Sequence, residues 1–246
     1  MTLFEKSKNY AYVIDFARLS LQFIKPGNVD PQVSQLRTEM HSRLFNAAIQ
    51  TSQYDLAHSV LALFIDPALR HSSLRTLVTK MCESSYASEL VELPFIGLQE
   101  AIDDILSQKC QSIVEVTVGV PYHKILYAWR IKRNDFRGAA AISLSRLQKL
   151  QQAGEGNRTL GEDVLETPVT KQYVALINAL SCVDPTQAWI FQEEPPSKSS
   201  AGAKNASKRI VVTLEDIKKS YEEELDRIAA IENNQFAFGG DEMDVL

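Results

Sequence analysis

Apolar residues recur three or four positions apart along most of the chain, which is the spacing of an amphipathic helix. The first 25 residues show this pattern, and Thr2 and Glu5 would open that helix as a capping box. Only two short stretches, Val116–Val120 and Ile210–Val212, favour an extended backbone. Val116–Val120 has no partner strand nearby in the sequence, so we interpret it as an extended connection. The pattern therefore predicts an all-α protein.

Several of the polar turns between these helices contain a capping residue followed by proline. The side chain of Asp or Thr accepts a hydrogen bond from the first turn, and proline suits the first helical position. These pairs are Asp30-Pro31, Asp66-Pro67, Thr167-Pro168 and Asp184-Pro185. The last pair is predicted to open a short helix that carries Trp189. Thr213 is predicted to cap a final long helix with an apolar stripe made of Ile217, Tyr221, Leu225 and Ile228.

Two helix junctions resemble each other, Gln53-Tyr-Asp-Leu-Ala57 and Asn134-Asp-Phe-Arg-Gly-Ala139. In both, an aromatic residue lies beside an aspartate, and a small residue follows at the start of the next helix. Stacked helix pairs use such aromatic and small residues to pack closely. The spacing is not a regular repeat, so we predict an irregular α-helical solenoid. The apolar contact between the two helices of the second junction, called the seam below, is predicted to contain Tyr122, Ile125, Trp129, Phe136, Leu147 and Trp189.

The amino-acid composition changes along the chain and indicates four segments. We predict a solenoid over residues 1–192 and a disordered polar linker over 193–208, a segment with no large apolar side chain. Residues 209–232 would form an extended segment and an amphipathic helix that continues the solenoid. Residues 233–246 would be an acidic tail or the truncated start of a further helix.

The charge is unevenly distributed. The net charge is −5, and the whole excess lies in residues 193–246, which hold 12 acidic and 7 basic residues. Residues 121–149 instead carry seven basic residues and one acidic residue. This basic hairpin could bind nucleic acid or an acidic protein, or could be a solvated face. The candidate partner surface consists of Arg130, Lys132, Arg133, Arg137, Tyr221, Leu225 and Ile228.

The residue types that usually form catalytic or metal-binding sites show no such arrangement in this sequence. The four histidines, His41, His58, His71 and His123, have no second ligand at a metal-binding offset, and we interpret them as solvated or capping residues. The three cysteines are far apart, which is typical of reduced thiols in a cytosolic or nuclear protein. No long apolar run is present, so a membrane span is not expected. We expect no catalytic residue, no metal, no cofactor and no small-molecule substrate.

Three blocks occur in a recognisable order: ILYAWRIKRNDFRGAAAI (125–142), YVALINALSCVDPTQAWIFQ (173–192) and IVVTLEDIKK (210–219). They resemble the C-terminal helical region of the large arm nucleoporin of the Y-shaped nuclear pore complex, the one-twenty family in fungi and the one-sixty family in vertebrates. The resemblance implies a structural protein at the nuclear envelope that binds the stem and second-arm scaffold nucleoporins and supports nucleocytoplasmic transport. The alternative is a helical adaptor that binds nucleic acid through the basic hairpin 121–149.

Overall fold

A computed structural model describes residues 1–24, 30–155, 166–193 and 209–232 of this 246-residue chain. Backbone contacts divide the chain into two compact units, Met1–Leu106 and Ser107–Leu246. The predicted polar linker, apart from Glu193, and the predicted tail 233–246 lie outside the described residues. The division of the solenoid into segments therefore stays a prediction.

The first unit consists of helices packed in sequence order. They are α1 (Thr2–Lys6), α2 (Tyr10–Phe23), α3 (Pro31–Gln50), α4 (Tyr54–Leu61), α5 (Pro67–Glu83), α6 (Ala87–Glu92) and the first part of α7 (Gln99–Ser112). Consecutive helices contact each other from α1 through α6. Their apolar faces form a core in which Leu74, Leu77, Val78 and Met81 of α5 are fully buried.

The second unit contains the end of α7, four further helices and a small hairpin of two strands. The helices are α8 (Tyr122–Lys132), α9 (Phe136–Gln152), α10 (Pro168–Ser181) and α11 (Leu214–Glu232), and the strands are β1 (Trp189–Glu193) and β2 (Arg209–Thr213). Helix α9 packs on both α8 and α10, and α11 packs on α10. The core joins apolar side chains of α9 and α10 to Ile190 of β1 and Ile217 of α11. Within the described residues the fold is an all-α stack with one strand pair, which confirms the predicted fold class.

Three helix junctions have the same backbone geometry. Lys8, Ser52 and Asn134 adopt the left-handed conformation with φ of 57°, 56° and 60°. The next residue donates its N–H to a carbonyl five positions back, as Asp135 does to Arg130 at 2.9 Å. This is the hydrogen bonding of a Schellman helix end. An aromatic residue, Tyr10, Tyr54 or Phe136, then begins the next helix. The sequence indicated the second and third junctions but not the first.

That first junction corrects the prediction of one helix over the first 25 residues. The chain instead forms α1 and α2, because the left-handed backbone at Lys8 ends α1. The predicted capping box also does not form, since Met1 is the N-cap of α1 and no side chain caps it.

The structure also corrects the short helix predicted to carry Trp189. A single 3-10 turn spans Pro185–Gln187, and Trp189 is the first residue of β1. This strand pairs antiparallel with β2, with Trp189 opposite Thr213 and Phe191 opposite Val211. Ile190 points into the core, whereas Phe191 is exposed, as the alternation of a strand requires. The strand also extends one residue into the predicted linker, through Glu193.

Candidate functional site

The predicted seam residues lie in and beside the α8–α9 hairpin. Tyr122, Ile125 and Trp129 are buried on one face of α8, and Leu147 is buried on α9. Trp129 is only 1% exposed. Phe136 and Trp189 are partly buried. Ala139 and Ala140 are fully buried in the core of the second unit.

Arg130 is held inside the hairpin. Its Nη1 donates to the carbonyl oxygen of Gly138 at 2.8 Å, and its Nη2 donates to the hydroxyl of Ser107 at 3.1 Å. Its Nε lies 3.9 Å from the carboxylate of Asp135. The side chain of Asp135 also caps α9 by accepting from the N–H of Gly138 at 2.9 Å. Arg130 and Asp135 therefore fix the helix junction, and little of the Arg130 guanidinium faces solvent.

Two further arginines of the basic hairpin stack on the two tryptophans. The guanidinium of Arg133 lies 3.0 Å from the ring centre of Trp129, and that of Arg137 lies 4.1 Å from the ring centre of Trp189. Such cation–π contacts stabilise both partners. Lys132 is exposed. Arg130, Arg133 and Arg137 thus make contacts within their own unit.

The apolar stripe of α11 faces α10. The rings of Tyr221 and Tyr173 lie 5.7 Å apart, and Ile217 and Ile228 are buried. Leu225 and Tyr221 are partly buried. Ile228 is therefore buried in the folded chain, and a role of these residues in binding a partner stays a prediction.

His123 also differs from its interpretation as a solvated or capping histidine. It is 4% exposed on α8, and its Nε2 atom has no hydrogen-bond partner in the described part of the chain. Burial, together with the positive charges of Lys149 and Arg146, lowers the pKa of His123 to about 4. The imidazole is therefore neutral at physiological pH. Its burial was hidden from sequence reasoning because it depends on how α8 packs.

No group of histidine, cysteine and carboxylate side chains suited to a metal ion occurs among the described residues. Cys82, Cys110 and Cys182 form no disulfide bond in the described part of the chain, and the first two are buried. Across residues 1–24, 30–155, 166–193 and 209–232, no helix is long and apolar enough to span a membrane.

Comparison with known proteins gives a consistent family. The profile described as "Nucleoporin Nup120, HEAT repeats" matches residues 1–83. Nucleoporin NUP120 of Chaetomium thermophilum is 39% identical in an alignment that covers 98% of this chain and 25% of that protein. Nuclear pore complex protein Nup160 of Mus musculus is 27% identical over 72% of this chain and 13% of its own length. Nucleoporin nup120 of Schizosaccharomyces pombe is 22% identical over 77% of this chain and 16% of its own length.

These relatives are much longer than this chain, which spans about a quarter of the fungal protein with the 39% match. The match nevertheless extends over nearly all of this chain, and the helical stack agrees with the helical repeats of the matching profile. The chain therefore belongs to the Nup120/Nup160 family of nucleoporins, which are components of the nuclear pore complex at the nuclear envelope.

Proposed function

We propose that this chain is a structural part of the nuclear pore scaffold that holds neighbouring nucleoporins in place. Its partners in this proposal are the stem and second-arm members of the Y-shaped complex. Through them it supports the transport of mRNA and protein across the nuclear envelope. It catalyses no reaction in this role.

An exposed apolar stripe on α2 carries the proposal. Tyr12, Phe16, Leu19 and Phe23 lie on one side of this helix and are 51%, 44%, 47% and 79% exposed. The opposite side of α2 packs on α3 through buried Val13, Ile14 and Ala17. A helix that is apolar on two opposite sides is typical of a stack that packs against another element. Phe4 of α1 covers only part of the stripe, through ring contacts with Tyr12 and Phe16.

The nucleic-acid alternative receives less support from the geometry. A protein that binds nucleic acid needs cations that can reach phosphates and aromatic faces that can stack on bases. Here the face of Trp129 is occupied by Arg133, and the face of Trp189 is occupied by Arg137. Arg130 makes hydrogen bonds within the hairpin.

Capture from nuclear pore extract tests the proposal. The immobilised full chain should retain scaffold nucleoporins, identified and quantified by mass spectrometry. The double variant Leu19→Ser, Phe23→Ser should retain several-fold less, because a serine hydroxyl replaces apolar surface that would be buried in the complex. Failure of the unchanged chain to retain any nucleoporin would refute the scaffold role.

A matched control comes from the same unit. Ile65 and Ile96 are 79% and 87% exposed, and they lie outside the α2 stripe. The double variant Ile65→Ser, Ile96→Ser should capture as much as the unchanged chain. Filter binding of nucleic acid at two salt concentrations completes the test, since affinity that falls steeply with salt would favour the alternative.

A further inference from the structure

A pocket of about 740 Å³ opens between α8, α9 and α10 of the second unit. Pockets of a few hundred to about 1,000 Å³ accommodate small ligands. Part of the wall is apolar and includes Tyr127, Ile142 and Pro168. The polar lining consists of His123, Lys124, Ser143, Arg146, Lys171 and Gln172.

Two buried polar atoms of this lining have no hydrogen-bond partner among the described residues. They are Nε2 of His123 and the hydroxyl oxygen of Ser143, in side chains that are 4% and 2% exposed. A buried polar group without a hydrogen-bond partner destabilises a fold. Both residues line the pocket, so a ligand there could supply the missing hydrogen bonds.

The guanidinium of Arg146 adds a charge that no carboxylate neutralises in the described part of the chain. Its hydrogen bond goes from Nη1 to the neutral amide oxygen of Gln172 at 2.9 Å. The Gln172 amide nitrogen in turn donates to the carbonyl of Ser143 at 3.3 Å, which holds the amide in place. Burial lowers the pKa of Arg146, and no acidic neighbour raises it. A partly buried cation of this kind gains most from a bound anion.

Among the lining residues that the structure describes, basic side chains outnumber carboxylates. Lys124 is exposed at the rim, and Lys171 pairs with Glu166 at 2.8 Å. Glu155 is the one carboxylate among the lining residues that the structure describes. Lys149 directs its ammonium group away, to the carbonyl of Cys110 at 2.8 Å.

We propose that this pocket binds a glutamate or aspartate side chain from an acidic segment of a partner protein. Arg146 would pair with the carboxylate, while Ser143 and the Nε2 nitrogen of His123 would donate hydrogen bonds to it. The site goes beyond the proposed scaffold role and rests on it for one point, that the occupant is a protein.

A carboxylate fits this donor set better than a phosphate does. The guanidinium fork of Arg146 can pair with either anion through Nη2, which Gln172 does not engage, so the choice depends on the other lining groups. The neutral imidazole of His123 contributes one hydrogen bond and no further charge. The apolar wall can also contact the methylene groups of a glutamate or a neighbouring apolar residue of the peptide.

The test is a titration of the full chain with two short peptides, followed by NMR of histidines labelled at Cε1. The probes are acetyl-Leu-Glu-Glu-Leu-amide and acetyl-Leu-Gln-Gln-Leu-amide, with inorganic phosphate as a third probe. The acidic peptide should shift the His123 resonance in a saturable way and raise the pKa of His123 from about 4. The glutamine peptide should leave both unchanged.

Substitutions then locate the site. Arg146→Gln should weaken binding of the acidic peptide by about tenfold or more, because it removes the charge-assisted hydrogen bonds. Arg137→Gln is the matched control on the same helix, since Arg137 stacks on Trp189 and does not line the pocket. Lys124→Gln should weaken binding by about threefold and replaces Arg146→Gln if that variant does not fold.

Three results would overturn the proposal. They are an equal response to both peptides, a response to phosphate with none to the acidic peptide, and an equal loss of affinity in the Arg137 and Arg146 variants. A chain that captures nucleoporins but does not bind the acidic peptide loses this proposal and keeps the scaffold role. A chain that binds the acidic peptide but captures no nucleoporin loses the scaffold role and keeps the pocket as a carboxylate-binding site.

Discussion

Replacing Trp129 by alanine should destabilise the second unit strongly. The indole is 1% exposed, and the Arg133 guanidinium lies 3.0 Å from its ring centre. Truncation of a buried tryptophan to alanine costs about 3–5 kcal/mol, through lost burial and the cavity left behind. In urea, with an m value of about 2 kcal/mol per molar, this lowers the unfolding midpoint by about 1.5–2.5 M.

Tryptophan fluorescence is the suitable assay. Both tryptophans, Trp129 and Trp189, belong to the second unit, so their emission reports that unit alone. In Trp129→Ala the remaining Trp189 is the probe. Trp189→Ala is the matched control, because this indole is partly buried and also carries a stacked arginine. We expect the control to lose about 1–2 kcal/mol.

The comparison of the two variants decides the outcome. If Trp129→Ala lowers the urea midpoint no more than Trp189→Ala does, Trp129 is not a buried seam residue. The face of Trp129 would then be available for other ligands, and the nucleic-acid alternative would regain support.

Four further predictions concern other parts of the molecule. Gly138→Ala should lower the free energy of unfolding in urea by about 1 kcal/mol, because the added Cβ would overlap the Asp135 carboxylate and displace it from the helix cap. Asp135→Ala should lower it by about the same amount, and the double variant should lower it no more than either single variant. Ser52→Gly should raise the melting temperature, measured by circular dichroism, because Ser52 has a left-handed φ of 56° that glycine adopts without strain. Ser59→Gly inside α4 should lower the melting temperature. Stability should fall by about 1.5 kcal/mol between pH 6.5 and pH 5, because the pKa of His123 is about 4 in the folded chain and 6.5 in the unfolded chain, so that protonation favours unfolding. In His123→Phe the fall over that pH range should be smaller by this amount. Light scattering should show a mass above the 27.6 kDa of one chain, and Leu19→Ser, Phe23→Ser should reduce it, whereas a stable monomer at high concentration would contradict this expectation.

The sequence by itself determined most of the helices and several of their capped ends. Side chains of Asp30, Asp66, Thr167 and Asp184 accept hydrogen bonds from the first turn of the helix that each was predicted to cap. Thr213 and Asp216 likewise exchange hydrogen bonds at the start of α11. These contacts join residues two or three positions apart, so the residue types in a short window are sufficient to predict them. The family was also recognisable from three ordered blocks of sequence.

Tertiary structure decided the features that depend on distant residues. Trp189 begins a strand because Thr213, 24 positions later, is opposite it in the hairpin. Arg130 and Arg133 turn inward because Gly138, Ser107 and Trp129 offer them partners within the folded unit. His123 and Arg146 line one pocket only because α8, α9 and α10 pack together. Periodicity identifies the face of a helix, but the charge balance and burial on that face depend on which neighbour covers it.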